Sequence, residues 1–367
     1  MFSFFSEFAS AQKIVSKKFD VIFFAESRHY FQYFKHLFDA LVEIPNVRIA
    51  YITSDKTDEI LNDNRIEAFY LKSTLAGIFP RLQAGVVIMT MPDLQNFIFK
   101  KSPTVNKYVY VFHALVSTHQ QYRSGAFDHY DTIFCTGPQQ EAEIRESEKL
   151  YSLPAKEIVR YGYPLLHNLK EEVSAAVVQQ NKILIAPSWY KEGILTECIL
   201  PLIGRLTLLR RQIWIRPHPE FVKRNKEVYR KLLEMIDPFR HIQIDSSSPV
   251  FTHATDAQLL ITDRSGIALE YAFATQRPVL FIDTPLKIQN PNTARFDLEP
   301  VENSFRKMLG ISIAPNELDK LGEAIKELEE KRETFATSIL RAESEVVFPA
   351  TYHLHGVQHI KQLLQTV

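Results

Sequence analysis

The sequence predicts an α/β protein of two domains, each a parallel sheet with helices on both faces. Three observations carry that prediction. The chain has 367 residues, about twice the usual size of one domain. Continuous apolar runs of strand length alternate with stretches long enough for crossover helices, the pattern of strands buried on both faces. A polar break, Leu169–Asn181, divides two such series.

In the first series Phe19–Ala25 is an unbroken apolar run, and Arg28–Val42 follows with helical spacing. Val47–Ile52, Ala68–Leu71, Gly85–Met89, Tyr108–Phe112 and Thr132–Cys135 read as further strands. A last strand ends at Tyr161-Gly-Tyr-Pro-Leu165. In the second series the strands are Lys182–Ala186, Gln212–Arg216, His241–Ile244, Gln258–Thr262 and Val279–Asp283. Helices fit Leu195–Arg210, Glu220–Met235, Ile267–Thr275 and Asn316–Thr337. The expected domains are residues 1–170 and 181–345, with a C-terminal segment, 346–367, packing back on the first.

Composition narrows the function classes. Hydrophobic residues make up 46%, with 15 Tyr and 26 Phe, enough for two cores. Lys plus Arg equals Asp plus Glu at 43 each, so no global positive field exists to gather nucleic acid. Cys135 and Cys198 each lie in an apolar segment and read as small core residues of a reducing compartment. No membrane-length apolar run or secretory signal is visible, so the expected location is the cytoplasm. The first 18 residues are rich in Phe and Lys. They read as a helix packed on the first domain or, alternatively, as an amphipathic helix on a membrane surface.

Open α/β sheets bind ligands at the carboxyl ends of their strands, so the candidate site residues are those that follow each strand. In Arg216-Pro-His-Pro219 two prolines hold Arg216 and His218 in a stiff loop before a helix, placed for a phosphate. In Asp263-Arg-Ser-Gly266, strand, turn and helix follow without spare residues. Ser265 and Gly266 sit at a helix start with unpaired N–H groups and positive potential. Glu270, one turn further, is placed to reach a ribose hydroxyl; Ser265 as a plain N-cap is the alternative. After the strand at Tyr108–Phe112 come His113, Ser117, Thr118 and His119, then Arg123 and Asp128. His113 at the strand end suits a base toward an acceptor hydroxyl. His/His/Asp there can also bind metal, but no ligand spacing is distinctive. Ser188 and Lys191, after another strand, are candidates for diphosphate contact. Neither GxGxxG nor GxxxxGK[ST] occurs, which disfavours dehydrogenase and P-loop readings.

Taken in order, Phe112-His-Ala114, Gly162-Tyr-Pro164, Ala186-Pro-Ser-Trp189, Arg216-Pro-His-Pro219, Thr262-Asp-Arg-Ser-Gly266 and Arg277-Pro-Val279 resemble the motifs of the CDP-glycerol glycerophosphotransferase family, the teichoic-acid polymerases and primases. The resemblance spans roughly residues 105–290. It implies a GT-B fold, two Rossmann-like domains facing across a cleft, with the donor held mainly by the second domain. It also implies no metal or cofactor. The implied partners are CDP-glycerol or another nucleotide-diphosphate donor, and a glycan or lipid-linked acceptor at the inner face of the cell membrane. His113 and His218 would be catalytic. Arg216, Ser188, Lys191, Asp263, Arg264, Ser265, Gly266 and Glu270 would bind donor, and His119, Arg123 and Asp128 would lie on the acceptor side.

This sequence departs from the family pattern at Arg264, Gly266 and Ala114, where Tyr, Ser and Gly are usual, and at Tyr190 and Lys191, where an Arg is common. Asp263–Ile267 with Glu270 also looks like the pattern of UDP-GlcNAc 2-epimerases and related glycosyltransferases. A nucleotide-sugar donor is therefore the alternative. An epimerase would need opposed acids, for which Asp93, Asp128 and Asp131 are available.

Overall fold

The computed structural model describes residues 4–209, 211–245 and 253–365. The first sheet has seven strands: β1 (Phe19–Ala25), β2 (Ile49–Thr53), β3 (Glu67–Tyr70), β4 (Ala84–Met89), β5 (Val105–Val111), β6 (Thr132–Cys135) and β7 (Glu157–Arg160). They lie in the order β3-β2-β1-β4-β5-β6-β7 and every pair is parallel. The second sheet has β8 (Gln179–Ile185), β9 (Gln212–Ile215), β10 (Ile242–Ile244), β11 (Ala257–Thr262), β12 (Val279–Ile282) and β13 (Gly310–Ile313). Its order is β10-β9-β8-β11-β12-β13, again all parallel. Strand order reverses at β1/β4 in the first sheet and at β8/β11 in the second, which opens a crevice at the carboxyl ends of those strands.

The apolar runs behave as their composition requires. β1 is buried along both faces, and Phe23 in its middle meets Phe34 and Phe38 at 5.1 and 5.4 Å between ring centres. Helix Ile267–Thr275 is buried all round, so its position between β11 and the first domain is fixed by packing on every side.

Several elements differ from the sequence expectation. The polar segment after Leu169 is not a free linker: helix Pro164–Ala175 runs through its first half, and β8 already starts at Gln179. Leu165, Leu166 and Leu169 tie that helix to the core beside helix 267–275, so apolar contacts on one face outweigh the polar run on the other. β13 has no counterpart among the strands the sequence predicts. It is a four-residue edge strand, too short to show a period. The helix expected at 316–337 is two, Leu321–Glu330 and Arg332–Val346.

Helix Phe4–Val15 packs on the first domain. Ala11 and Ile14 enter the core, and buried Glu7 accepts hydrogen bonds from the backbone N–H groups of Lys72 and Thr74. Lys13 and Lys17 pair with Glu67. Ala11, Ile14, Lys13 and Lys17 are therefore engaged by the protein itself, which favours the packed reading over the interfacial one, while Phe8 is exposed; residues 1–3 and the side chains of Phe4 and Phe5 lie outside the description. Among the described residues no helix is long and apolar enough to cross a membrane. The last helix, His353–Gln365, returns to the first sheet, where Val357 and Ile360 are buried and His359 faces Glu157 at 3.3 Å.

Candidate functional site

Each candidate segment leaves the carboxyl end of a strand: His113 after β5, Ser188 after β8, His218 after β9 and Asp263–Gly266 after β11. The loop after β5 then crosses to the second domain. Leu115 is buried in the apolar cluster of helix 267–275. Val116 reaches so close to Gly266 that a Cβ there would lie 2.7 Å from its Cγ1. Gly266 is thus required by the approach of the first domain. The structure therefore brings together the His113 loop and the Ser265–Gly266 helix start.

His113 lies among tyrosines. Its ring centre is 5.3 Å from Tyr30, 6.0 Å from Tyr33 and 6.2 Å from Tyr122, each edge to face. Its Nδ1 is 2.9 Å from the backbone oxygen of Thr90, at the end of β4. A carbonyl only accepts, so Nδ1 carries the proton and Nε2 keeps its lone pair. Both hydrogen-bond contacts of the ring among the described residues fall on Nδ1, the second being the Tyr110 hydroxyl at 3.4 Å. Burial pushes the imidazole down to about 4, against a smaller opposing effect of the Thr90 bond, so the ring is neutral at pH 7.

The second-domain residues divide into two groups. Ser265 and Gly266 are part-exposed at the helix start, Lys191 and His218 are exposed, and His218 stacks on Trp189 at 6.1 Å. The others are held by their own chain. Buried Asp263 accepts from the N–H and the hydroxyl of Ser188, both at 2.8 Å, and from the N–H groups of Ile194 and Arg264. Asp263 and Ser188 thus engage each other and shape the loop after β8. Arg216 is bound to Asp245 at 2.7 Å. Arg264 donates to the backbone oxygen of Thr284 through Nε and NH2, at 3.1 and 3.0 Å. Glu270 is buried and accepts from the Tyr163 hydroxyl at 2.5 Å, across the domain junction. Burial raises its carboxyl to about 7, with the Tyr163 bond acting the other way.

The acceptor-side candidates lie on a further stretch of the domain junction. His119, Arg123 and Asp128 line a cavity of about 30 Å³, together with Lys156 and, from the second domain, Asn290 and Phe296. His119 is buried, stacked on Phe296 at 4.9 Å, with Nδ1 3.3 Å from Glu143 but not in line for a hydrogen bond. Burial pushes that imidazole down, but the adjoining Glu143 carboxylate, with smaller help from Glu302 and the backbone of Leu298, outweighs it and leaves the group raised. It is a packed ion-pair histidine, unsuited to replace His113. Arg123 is exposed over Phe97. Asp128 is raised by burial, with Lys156 opposing. Among the described residues no group of His, Cys, Asp or Glu is placed to hold a metal ion.

Residues that sequence reasoning missed lie in the strap after β12. Glu302 accepts from the N–H and hydroxyl of Ser117. Arg306 donates to the backbone oxygen of Asp263 at 2.8 Å and to Asp283 at 2.5 Å. Lys287 is depressed by burial, with Asp263 and Glu302 opposing. None carries a local sequence signal, because each acts on a partner far along the chain.

The family model described as CDP-glycerol:poly(glycerophosphate) glycerophosphotransferase matches residues 7–288. The chain belongs to this family. No curated protein sequence matches it. Among solved structures the wall teichoic acid polymerase TagF is similar at a TM-score of 0.62 and 13% identity, covering 100% of this chain and 99% of that one. UDP-GlcNAc 2-epimerase from Methanocaldococcus jannaschii, in complex with UDP-GlcNAc and UDP, is similar at 0.57 and 13% identity, covering 94% and 100%. Sucrose-phosphate synthase from Thermosynechococcus elongatus is similar at 0.53 and 11% identity, covering 95% and 100%. At such identities these structures show the GT-B-like fold. The family supplies the activity: this member is a glycerophosphotransferase, a transferase drawing on CDP-glycerol.

Proposed function

We propose that the glycerophosphotransferase reaction runs at the junction between the His113 loop and the helix start at Ser265–Gly266. The acceptor is a hydroxyl of a glycan or lipid-linked chain presented at the inner face of the cell membrane. The observation that carries this reading is the tautomer of His113: Nδ1–H is engaged by Thr90, and Nε2 is left as a lone pair.

In this mechanism the acceptor oxygen attacks the glycerol-bearing phosphorus of CDP-glycerol. The bond from that phosphorus to the bridging oxygen breaks, and CMP leaves with the electron pair. Nε2 of His113 takes the acceptor proton as the new P–O bond forms. Negative charge grows on the departing CMP phosphate. The N–H groups of the helix start and His218 are the groups that would stabilise it. Lys191, exposed after β8, and Lys287, within the field of Asp263 and Glu302, would add positive charge. Ser188, Asp263, Arg264 and Arg216 act by holding the loops that present these groups.

The test is direct. Purified protein is incubated with CDP-glycerol and a glycerol-phosphate-primed acceptor, and CMP release is followed with mass analysis of the acceptor. UDP-GlcNAc runs in parallel. Growth of the acceptor by glycerol phosphate units supports the reading. Transfer or epimerisation of the sugar, without reaction of CDP-glycerol, overturns it in favour of a nucleotide-sugar enzyme.

A further inference from the structure

Glu270 is the one carboxylate of helix 267–275, and it is buried among apolar side chains. Its only hydrogen-bond donor among the described residues is the Tyr163 hydroxyl. A buried carboxyl with a single phenol as partner is costly to keep for packing alone, because a Leu or Met would fill the space without a desolvation cost. Tyr163 is set in place by the turn before it: Gly162 has φ +81°, a left-handed conformation, and a Cβ there would lie 3.1 Å from the backbone oxygen of Phe348. Tyr163 in turn meets Tyr33 at 6.0 Å between ring centres, and the two phenol groups interact. Tyr33 packs against both the junction cluster and the core beneath β1. Its ring then forms one wall of the His113 site at 6.0 Å. The chain of contacts is continuous from the second domain to the imidazole.

We infer that Glu270 is a positioning residue: through Tyr163 and Tyr33 it fixes the aromatic wall that keeps the His113 ring oriented and dry when the domains meet. This inference rests on the proposed role of His113. It also gives the helix carboxylate a different task from contact with a donor ribose. Two features make the arrangement suited to it. The Thr90 bond fixes one ring nitrogen but leaves rotation about that bond to be limited by the neighbouring rings. The Glu270–Tyr163 bond spans the junction, so the wall is complete only with the second domain in place.

The variants are E270A, E270Q and Y163F, with two kinds of measurement. The first is kcat and KM for CDP-glycerol. The second is the ring-nitrogen NMR spectrum of His113 across pH, recorded without substrate. The expected result for E270A and Y163F is a kcat lowered about tenfold, the order of effect a displaced reacting group produces, with KM for CDP-glycerol within about twofold of wild type. His113 is then expected to titrate nearer the ordinary imidazole range as water enters. E270Q keeps an acceptor for the Tyr163 hydroxyl and is expected to restore most of kcat. The double variant E270A/Y163F should cost no more than either single change, since both break one bond.

A raised KM for CDP-glycerol in E270A and E270Q, with His113 titrating as in wild type, overturns the inference and makes Glu270 a ribose contact. Unchanged kcat and unchanged titration in Y163F also overturn it. Y163F keeps the ring and decides the matter even where E270A does not fold. The NMR arm needs no turnover, so a wild-type protein inert toward CDP-glycerol would sink the proposed function while this inference is still read from His113.

Discussion

Ser117 donates both its backbone N–H and its hydroxyl to Glu302, at 3.0 and 2.8 Å, and so ties the His113 loop to the strap of the second domain. The two residues are 185 apart in sequence. The strap adds further ties: Gln289 and Asn290 donate backbone N–H groups to the oxygen of Gln120, and Asp297 donates its own to Glu146. The junction beside the proposed base is thus built from polar contacts that all need the second domain.

Replacing Glu302 with Ala leaves a buried N–H and a buried hydroxyl without acceptor. The expected loss is about 1–3 kcal/mol, the usual cost of stranding such groups. Denaturant unfolding measures it, and limited proteolysis should show faster cleavage within residues 284–300. E302Q retains one acceptor oxygen and should recover part of the loss. Equal stability of E302A and wild type would mean that the contact is not present in solution.

Asp263 is expected to behave as a structural residue. Its carboxylate gathers four hydrogen bonds from three residues, Ser188, Ile194 and Arg264, so D263A should destabilise by roughly 3–5 kcal/mol, as removal of a buried charged acceptor does. S188A removes one donor and should cost about 1 kcal/mol. Thermal unfolding in the absence of any nucleotide checks both. A direct donor contact would show the reverse: unchanged stability and weakened nucleotide binding.

These cases mark where sequence reading reaches its limit. Ser188, Asp263, Arg216 and Glu270 were legible as polar residues at strand ends, where α/β proteins bind ligands. The same position also suits a residue that anchors a neighbouring loop, and the two uses look alike in sequence. Only the partner decides. Ser188 and Asp263 are 75 residues apart, and Tyr163 and Glu270 are 107 apart. By contrast the strands themselves were readable because an apolar run buried on both faces is a local property. The short edge strand β13 and the helix through Leu169 were not, since neither is set by local pattern.

Glu270 makes stability depend on pH in a defined direction. Its carboxyl is raised in the folded protein to about 7 from the ordinary 4.5. Above 4.5 the unfolded chain has released this proton while the folded protein still holds it, so stability falls as pH rises through about 7. The difference corresponds to roughly 3 kcal/mol at most. His113 acts oppositely. Depressed to about 4 from 6.5, it contributes stability that is present above 6.5 and lost as pH falls toward 4. The two slopes overlap, so wild type alone cannot separate them. E270Q can: relative to wild type it should gain stability between pH 4.5 and 7 and stay level above. A difference between the two proteins that does not change with pH would show that Glu270 is not raised.

The division of labour between His113 and His218 predicts distinct kinetic signatures. His113 meets the acceptor proton, so H113A should lower turnover by about 10²–10⁴-fold, the usual contribution of a positioned base. Affinity for CDP-glycerol, measured by calorimetry, should stay near wild type, because the imidazole ring itself is surrounded by first-domain groups: Tyr30, Tyr33, Tyr122 and the Thr90 carbonyl. His218 stands exposed after β9, beside Trp189, where it can meet a phosphate of the donor. H218A should therefore weaken donor binding and also lower turnover, on the order of 10²–10³-fold if it stabilises the departing CMP. The pH dependence adds an independent check. A base must be neutral to accept a proton, and His113 is neutral down to about 4. The acid limb of kcat/KM should then lie well below the ordinary imidazole value of 6.5, with activity largely retained at pH 5.5 in buffers where the protein stays folded. An acid limb at 6.5 that persists in H113A would place the base elsewhere. One at 6.5 that vanishes in H113A would keep His113 as the base and show that its tyrosine surroundings are wetter in solution than in the closed arrangement.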